Sequence, residues 1–160
     1  MVILRDTVPS PSRIGLEMIA IDQGAPLELD LRVESVSEGV LVTGTVAAPT
    51  VGECARCLTP VNGRVQVGFT ELFAYPHSTT EATTEEDEVG HIVDDTIDLE
   101  QSIIDAVGLE LPFSPLCGQD CQGLCPDCGI PMATAEPGHK HERIDPRWAK
   151  LASMLETDDK

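Results

Sequence analysis

The chain has 160 residues, 41% of them hydrophobic, and its 28 acidic against 10 basic side chains give a formal net charge of −18. That length fits one ordinary domain plus tails, and no apolar run approaches the roughly 20 residues a membrane-spanning helix needs. The acidity argues against a surface that holds nucleic acid by itself, because such a surface gains affinity when lysine and arginine displace counterions from phosphates.

The opening Met1-Val2-Ile3-Leu4-Arg5 puts its base after a short apolar patch, the reverse of a secretory signal, so a cytoplasmic protein is expected. Nine acids and no lysine or arginine fall between positions 81 and 100. Acidic surface confers solubility in general; where it recognises a macromolecule, a basic protein is the natural partner. Bases are densest at Lys140, Arg143, Arg147 and Lys150, and Glu142 and Asp145 lie among them, which makes direct binding to naked nucleic acid a poor expectation.

Residues 1–14 are expected to be a flexible lead-in, because 7–13 are rich in proline and serine. Leu27, Leu29, Leu31 and Val33 alternate with Glu28, Asp30, Arg32 and Glu34, the period-2 pattern of a half-buried strand. After a turn at Ser37-Glu38-Gly39, the β-branched run 40–46 pairs back antiparallel and Pro49 closes it. Asn62-Gly63 signals a tight hairpin turn leading to a strand over 65–75, which places Cys54 and Cys57 on the incoming arm. Residues 77–90 are highly charged without apolar period and read as a mobile acidic loop. Asp98 and Gln101 have the spacing of a capping box before a short helix over about 98–108, ending at Gly108. Leu109–Leu116 runs extended past Pro112 and Pro115. Asp145-Pro146 then starts an amphipathic helix over 145–155, with Trp148, Leu151 and Leu155 on its packing stripe, before a tail at 156–160. The fold class is α+β: an antiparallel sheet or partial barrel in the first half, a central short helix, a Cys/His-rich segment over 117–141 and a C-terminal helix, all one domain over 15–155. His77 and His91 read as solvated loop residues.

The six cysteines are bunched as Cys54-x2-Cys57 and Cys117-x3-Cys121-x3-Cys125-x2-Cys128. In a reducing compartment such bunching points to metal and away from disulfides. Two cysteines separated by two residues chelate one ion from a single turn, and zinc takes four tetrahedral sulfur or nitrogen ligands. Cys125-Pro126-Asp127-Cys128-Gly129 has this knuckle form, with Gly129 free to take the backbone conformation the turn needs. His139 and His141 bring the donors to eight, enough for two sites. The preferred pairing sets Cys54 and Cys57 with Cys117 and Cys121, and Cys125 and Cys128 with His139 and His141. The rival gathers Cys117, Cys121, Cys125 and Cys128 around one ion and leaves Cys54 and Cys57 as a packed or redox-active pair. Either arrangement is filled by protein ligands, so one or two structural zinc ions are expected and no catalytic one.

Enzyme readings fare poorly. A zinc deaminase needs His-x-Glu ahead of Pro-Cys-x-x-Cys, whereas here the proline follows Cys125 and no such upstream pair exists. A thioredoxin-like Cys54/Cys57 would sit at a helix start in a βαβ unit, but its flanks read as strand. Nucleophile elbows, phosphate loops and dinucleotide fingerprints are absent.

Four motifs in order carry a resemblance: Cys54-Ala-Arg-Cys57-Leu-Thr-Pro60; Asp98-Leu99 entering a helix that ends in Leu109-Glu-Leu-Pro112; Pro115-Leu-Cys117-Gly-Gln-Asp-Cys121-Gln-Gly-Leu-Cys125-Pro-Asp-Cys128-Gly129; and Asp145-Pro-Arg-Trp-Ala-Lys-Leu151. Over roughly 15–155 the chain resembles the YceD family, described as large ribosomal RNA subunit accumulation proteins. Many bacterial members carry Cys-x-Cys where this chain has His139-Lys-His141, which suits a ligand substitution. The resemblance implies a non-enzymatic role in large-subunit ribosome biogenesis, and family genes often lie beside that of a small zinc-ribbon ribosomal protein. The expected partner is therefore a basic ribosomal protein or an assembly intermediate, with no membrane and no small-molecule substrate. The alternative is a thiol-based redox or metal-sensing protein using Cys54/Cys57.

Overall fold

A computed structural model describes residues 1–85, 89–141 and 146–148. The chain divides into two compact units, Met1–Cys121 and Gln122–Lys160.

The first unit is built on a seven-stranded, mostly antiparallel sheet. Its strands are β1 (Val2–Pro9), β2 (Ile14–Gly15), β3 (Ile19–Ile21), β4 (Pro26–Val36), β5 (Gly39–Glu53), β6 (Pro60–Ala74) and β7 (Gly90–His91). The chain is α+β, with two α-helices among the described residues, α1 (Thr79–Thr83) and α2 (Glu100–Glu110). β5 is central, because it pairs with β6 along its whole length on one edge and with β4 and then β3 on the other. β1 extends the sheet beyond β4, and the short β7 runs parallel to the end of β6.

The alternation read in β4 has a clear consequence: Leu27 and Leu31 are buried, while Glu28, Asp30 and Arg32 face water. On that wet face Arg64 pairs with Glu28 at 2.6 Å and Arg5 with Asp30 at 3.0 Å, cross-strand contacts worth little each in open solvent. The opposite face brings Leu27, Leu31, Val42, Val46, Val65, Phe69 and Phe73 into one core. α2 closes that core through Ile103 and Val107, with Leu111 just beyond it. Burying this apolar area is what binds helix to sheet.

Several expectations need correction. The lead-in is not flexible along its length: residues 2–9 form β1, in register with β4 from Val2↔Val33 to Pro9↔Pro26. The Pro/Ser stretch follows this strand instead of replacing it. Asn62-Gly63 is no turn. Both residues lie inside β6, opposite Val51 and Thr50, and neither has a positive φ. The hairpin reverses at 54–59, so Cys54 and Cys57 form the connection itself. Pro49 does not end its strand. It lies between Ala47, the last residue paired with β4, and Val51, the first paired by β3 along that edge, so its missing N–H breaks no ladder there.

The acidic segment 77–90 contains α1, capped by the Ser78 hydroxyl accepting from the Glu81 amide, and β7, which includes His91. α2 runs through Gly108 to Glu110, and the Leu111 amide donates to the Val107 carbonyl. Asp98 does accept from the Glu100 amide at 2.9 Å, but Gln101 turns away to donate to Asp105. Only 146–148 of the expected C-terminal helix is described, as a 3-10 turn, and the remainder of 145–155 lies outside the described residues, as does the tail 156–160. Trp148, assigned to a packing stripe, is 58% exposed. No helix among the described residues is long and apolar enough to cross a membrane.

Candidate metal centres

Cys54 follows the last residue of β5 and Cys57 lies three residues before β6, so the knuckle Cys54–Cys57 sits in the connection between the two longest strands of the sheet. Its backbone closes on itself: the Leu58 amide donates to the Cys54 carbonyl at 2.9 Å, and the Cys54 amide to the Thr59 carbonyl at 2.8 Å. Continuing the chain from there requires the left-handed region, and Leu58 occupies it at φ 58°. In the second unit Cys125-Pro126-Asp127-Cys128 repeats the same plan. The Gly129 amide donates to the Cys125 carbonyl and the Cys125 amide to the Ile130 carbonyl, both at 2.8 Å, with Gly129 at φ 74°. Two stretches with different side chains thus share one turn, and only the second has the residue that this turn favours.

In the first unit the segment after α2 returns to the knuckle. The Ala55 amide donates to the Pro115 carbonyl at 2.8 Å, and the Arg56 guanidinium to the Cys121 carbonyl at 2.9 Å. Cys117 and Cys121 are thereby held against Cys54 and Cys57, and the four sulfurs lie within 4.8 Å of one another. Cys57 and Cys117 are 3.5 Å apart at sulfur, Cys54 and Cys121 3.7 Å. Zinc–sulfur bonds of about 2.3 Å in a tetrahedron would separate sulfurs by about 3.8 Å, so the spacing suits one ion. Cys54 and Cys57 are buried, Cys121 half-buried and Cys117 exposed.

Electrostatics favour thiolate here. The Cys117 amide, ahead of those of Arg56 and Cys57, lowers the Cys54 thiol from 9.0 to about 6 against the opposing effect of burial. The Thr59 hydroxyl, 3.0 Å from sulfur, and then the Thr59 amide lower Cys57. Cys117 is raised, chiefly by its neighbour Cys57, as expected when several thiols crowd together without a cation.

The second unit gathers Cys125, Cys128, His139 and His141, again with donor atoms within 4.8 Å. The Cys128 sulfur is 3.4 Å from His139 Nε2, which is 2.9 Å from His141 Nε2, with the rings nearly perpendicular. Amides of Cys128 and Asp127 lower the Cys125 thiol to about 6. His139 is positioned by its own amide donating to the Glu136 carbonyl at 3.0 Å.

The eight donors read from the sequence fall into two sets, Cys54, Cys57, Cys117 and Cys121 within the first unit and Cys125, Cys128, His139 and His141 within the second. Sequence reasoning missed the supports: Leu58, Thr59, Arg56 and the carbonyl of Pro115. Aligning the two knuckles would have exposed Leu58, since it stands where the other has Gly129.

The first unit thus carries one four-donor set on its sheet and the following unit carries another, each spaced so that it could hold a metal ion. The model of the family described as "Large ribosomal RNA subunit accumulation protein YceD" matches residues 42–155, and the chain belongs to that family. It is 80% identical over 152 residues to the uncharacterized protein Rv2926c of Mycobacterium tuberculosis, covering 95% of this chain and 73% of that protein. Identity is 66% to the uncharacterized protein ML1660 of Mycobacterium leprae, across 99% of this chain and 72% of the relative. The more distant YlbN of Bacillus subtilis is 28% identical, covering 81% of this chain and 72% of its own length. No solved structure matches.

Proposed function

We propose that this protein is a non-enzymatic factor in large-subunit ribosome biogenesis, that two structural zinc ions hold its Cys/His sets, and that it acts in the cytoplasm on a basic ribosomal protein or an assembly intermediate containing one. Membership of a family described by large-subunit ribosomal RNA accumulation is the observation that carries the ribosomal role. Zinc is the metal that tetrahedral thiolate and imidazole donors favour. Each set supplies four donors by itself, and a centre filled by protein leaves no position for water or substrate, which supports structure over catalysis. The charge of −18 supports a basic protein as partner ahead of naked ribosomal RNA. Burial of Cys54 and Cys57 weighs against the redox reading, since reactive thiols are partly exposed.

Two measurements test this. Elemental analysis of purified protein should give two zinc ions per chain; a chain that folds without metal would overturn the structural-zinc part. Pull-down at low and high salt should recover basic ribosomal proteins with strong salt dependence. Recovery of protein-free ribosomal RNA in their place would defeat the partner assignment.

A further inference from the structure

β6 is fifteen residues long, and β5 covers only one of its edges. Along the other edge, among the described residues, β7 pairs with Phe73 and Ala74 alone, so no strand covers the stretch Pro60–Leu72. Sheet proteins ordinarily block such an edge with charge, proline or a bulge, because its free amides and carbonyls recruit another strand. Here α2 packs beside it and leaves a groove. Val67, Phe69, Ala106 and Leu109 make its apolar lining, and Leu109 is 90% exposed although it lies on a helix that packs against the core.

Glu71 from β6 and Asp105 and Glu110 from α2 line the same groove. Asp105 accepts one hydrogen bond from Gln101, and none of the three forms an ion pair among the described residues. Among the described residues, no lysine or arginine lines the groove. Gly68 lies in its middle. A Cβ there would meet nothing closer than the Gly44 carbonyl at 3.7 Å, so packing within this chain does not demand glycine at that position. A glycine inside a strand does allow a second backbone to come close.

We propose that the groove between the open edge of β6 and α2 is the docking site for an extended basic segment of a protein partner, added to the sheet as a further strand. Main-chain hydrogen bonds to β6 would supply affinity, apolar side chains would meet Val67 and Leu109, and lysine or arginine at alternating positions would reach Glu71, Asp105 and Glu110. This rests on the reading that the partner is basic, and it names where that partner binds.

The test uses the full zinc-loaded chain and individually purified large-subunit ribosomal proteins, with binding followed by fluorescence anisotropy at fixed salt. A groove variant carries Glu71→Lys, Asp105→Lys and Glu110→Lys. A control carries the same charge change at the exposed Glu17, Asp22 and Glu85, none of which lines the groove. Zinc content and far-ultraviolet circular dichroism must match wild type for both. The expected result is at least about tenfold weaker binding by the groove variant, from three reversed contacts, and control binding within about twofold of wild type. Hydrogen exchange of the wild-type complex should show new protection of amides within 65–71. Equal binding by the groove variant, equal weakening of both variants, or a complex without new protection in β6 would overturn the docking site while leaving a basic partner in place. A wild-type chain that binds none of these proteins would overturn both.

Discussion

Replacing Cys57 by serine gives the most direct test of how the first unit is held together. Cys57 and Cys117 are 60 residues apart in sequence and 3.5 Å apart at sulfur. An ion joining them closes that stretch of chain in the unfolded ensemble as a covalent cross-link would. The chain-entropy relation for a loop of this length gives about 4 kcal/mol. For the second centre, where Cys128 and His139 are separated by 11 residues, the same relation gives about 3 kcal/mol. Cys57→Ser should therefore lower the stability of the first unit by about 4 kcal/mol, a drop of roughly 8–16 °C in melting temperature for a chain of this size. Zinc should fall from two ions to one per chain, and loss of the second centre through Cys128→Ser should leave the melting of the first unit nearly unchanged. Differential scanning calorimetry with elemental analysis measures both quantities. If Cys57→Ser kept two ions, or melted within about 2 °C of wild type, the tie between hairpin and tail would be refuted.

Further outcomes follow from particular residues. Leu58→Gly removes a leucine from φ 58°, which costs about 1–2 kcal/mol, while glycine adds unfolded-state entropy of about 0.5–1 kcal/mol; urea unfolding should show a net gain of about 0.5 kcal/mol, and any loss would contradict the strain argument. Cys54 and Cys125 each fall from 9.0 to about 6. In metal-free protein the stability from these lowered thiols is therefore complete above pH 9.0, declines as pH falls from there and is lost below about 6; zinc release monitored with a colorimetric chelator should likewise rise as pH falls through about 6. Leu31 is 1% exposed at the centre of the sheet, so Leu31→Ala should cost about 2–5 kcal/mol in chemical denaturation without changing zinc content.

The amino-acid sequence by itself determined the strands at 27–33, 40–46 and 65–75, because period-2 alternation is a local property of side chains and needs no partner to be read. It also identified the eight donors, because two-residue spacings make knuckles wherever they occur, but it left two ways of dividing them into sites open. Tertiary structure decided what depends on a neighbour. Val2–Pro9 became a strand only because β4 offered an edge, and Pro49 survived inside β5 because the pairing on that edge changes partners around it. Asn62-Gly63, the best local turn signal, was overridden by fifteen cross-strand pairs that moved the reversal to the Cys54–Thr59 knuckle. A dipeptide's turn preference amounts to a fraction of what a continuous ladder and a buried face contribute. The same dependence on distant residues brought Cys117 and Cys121 back to Cys54 and Cys57: the Ala55–Pro115 and Arg56–Cys121 hydrogen bonds that hold them join segments some sixty residues apart.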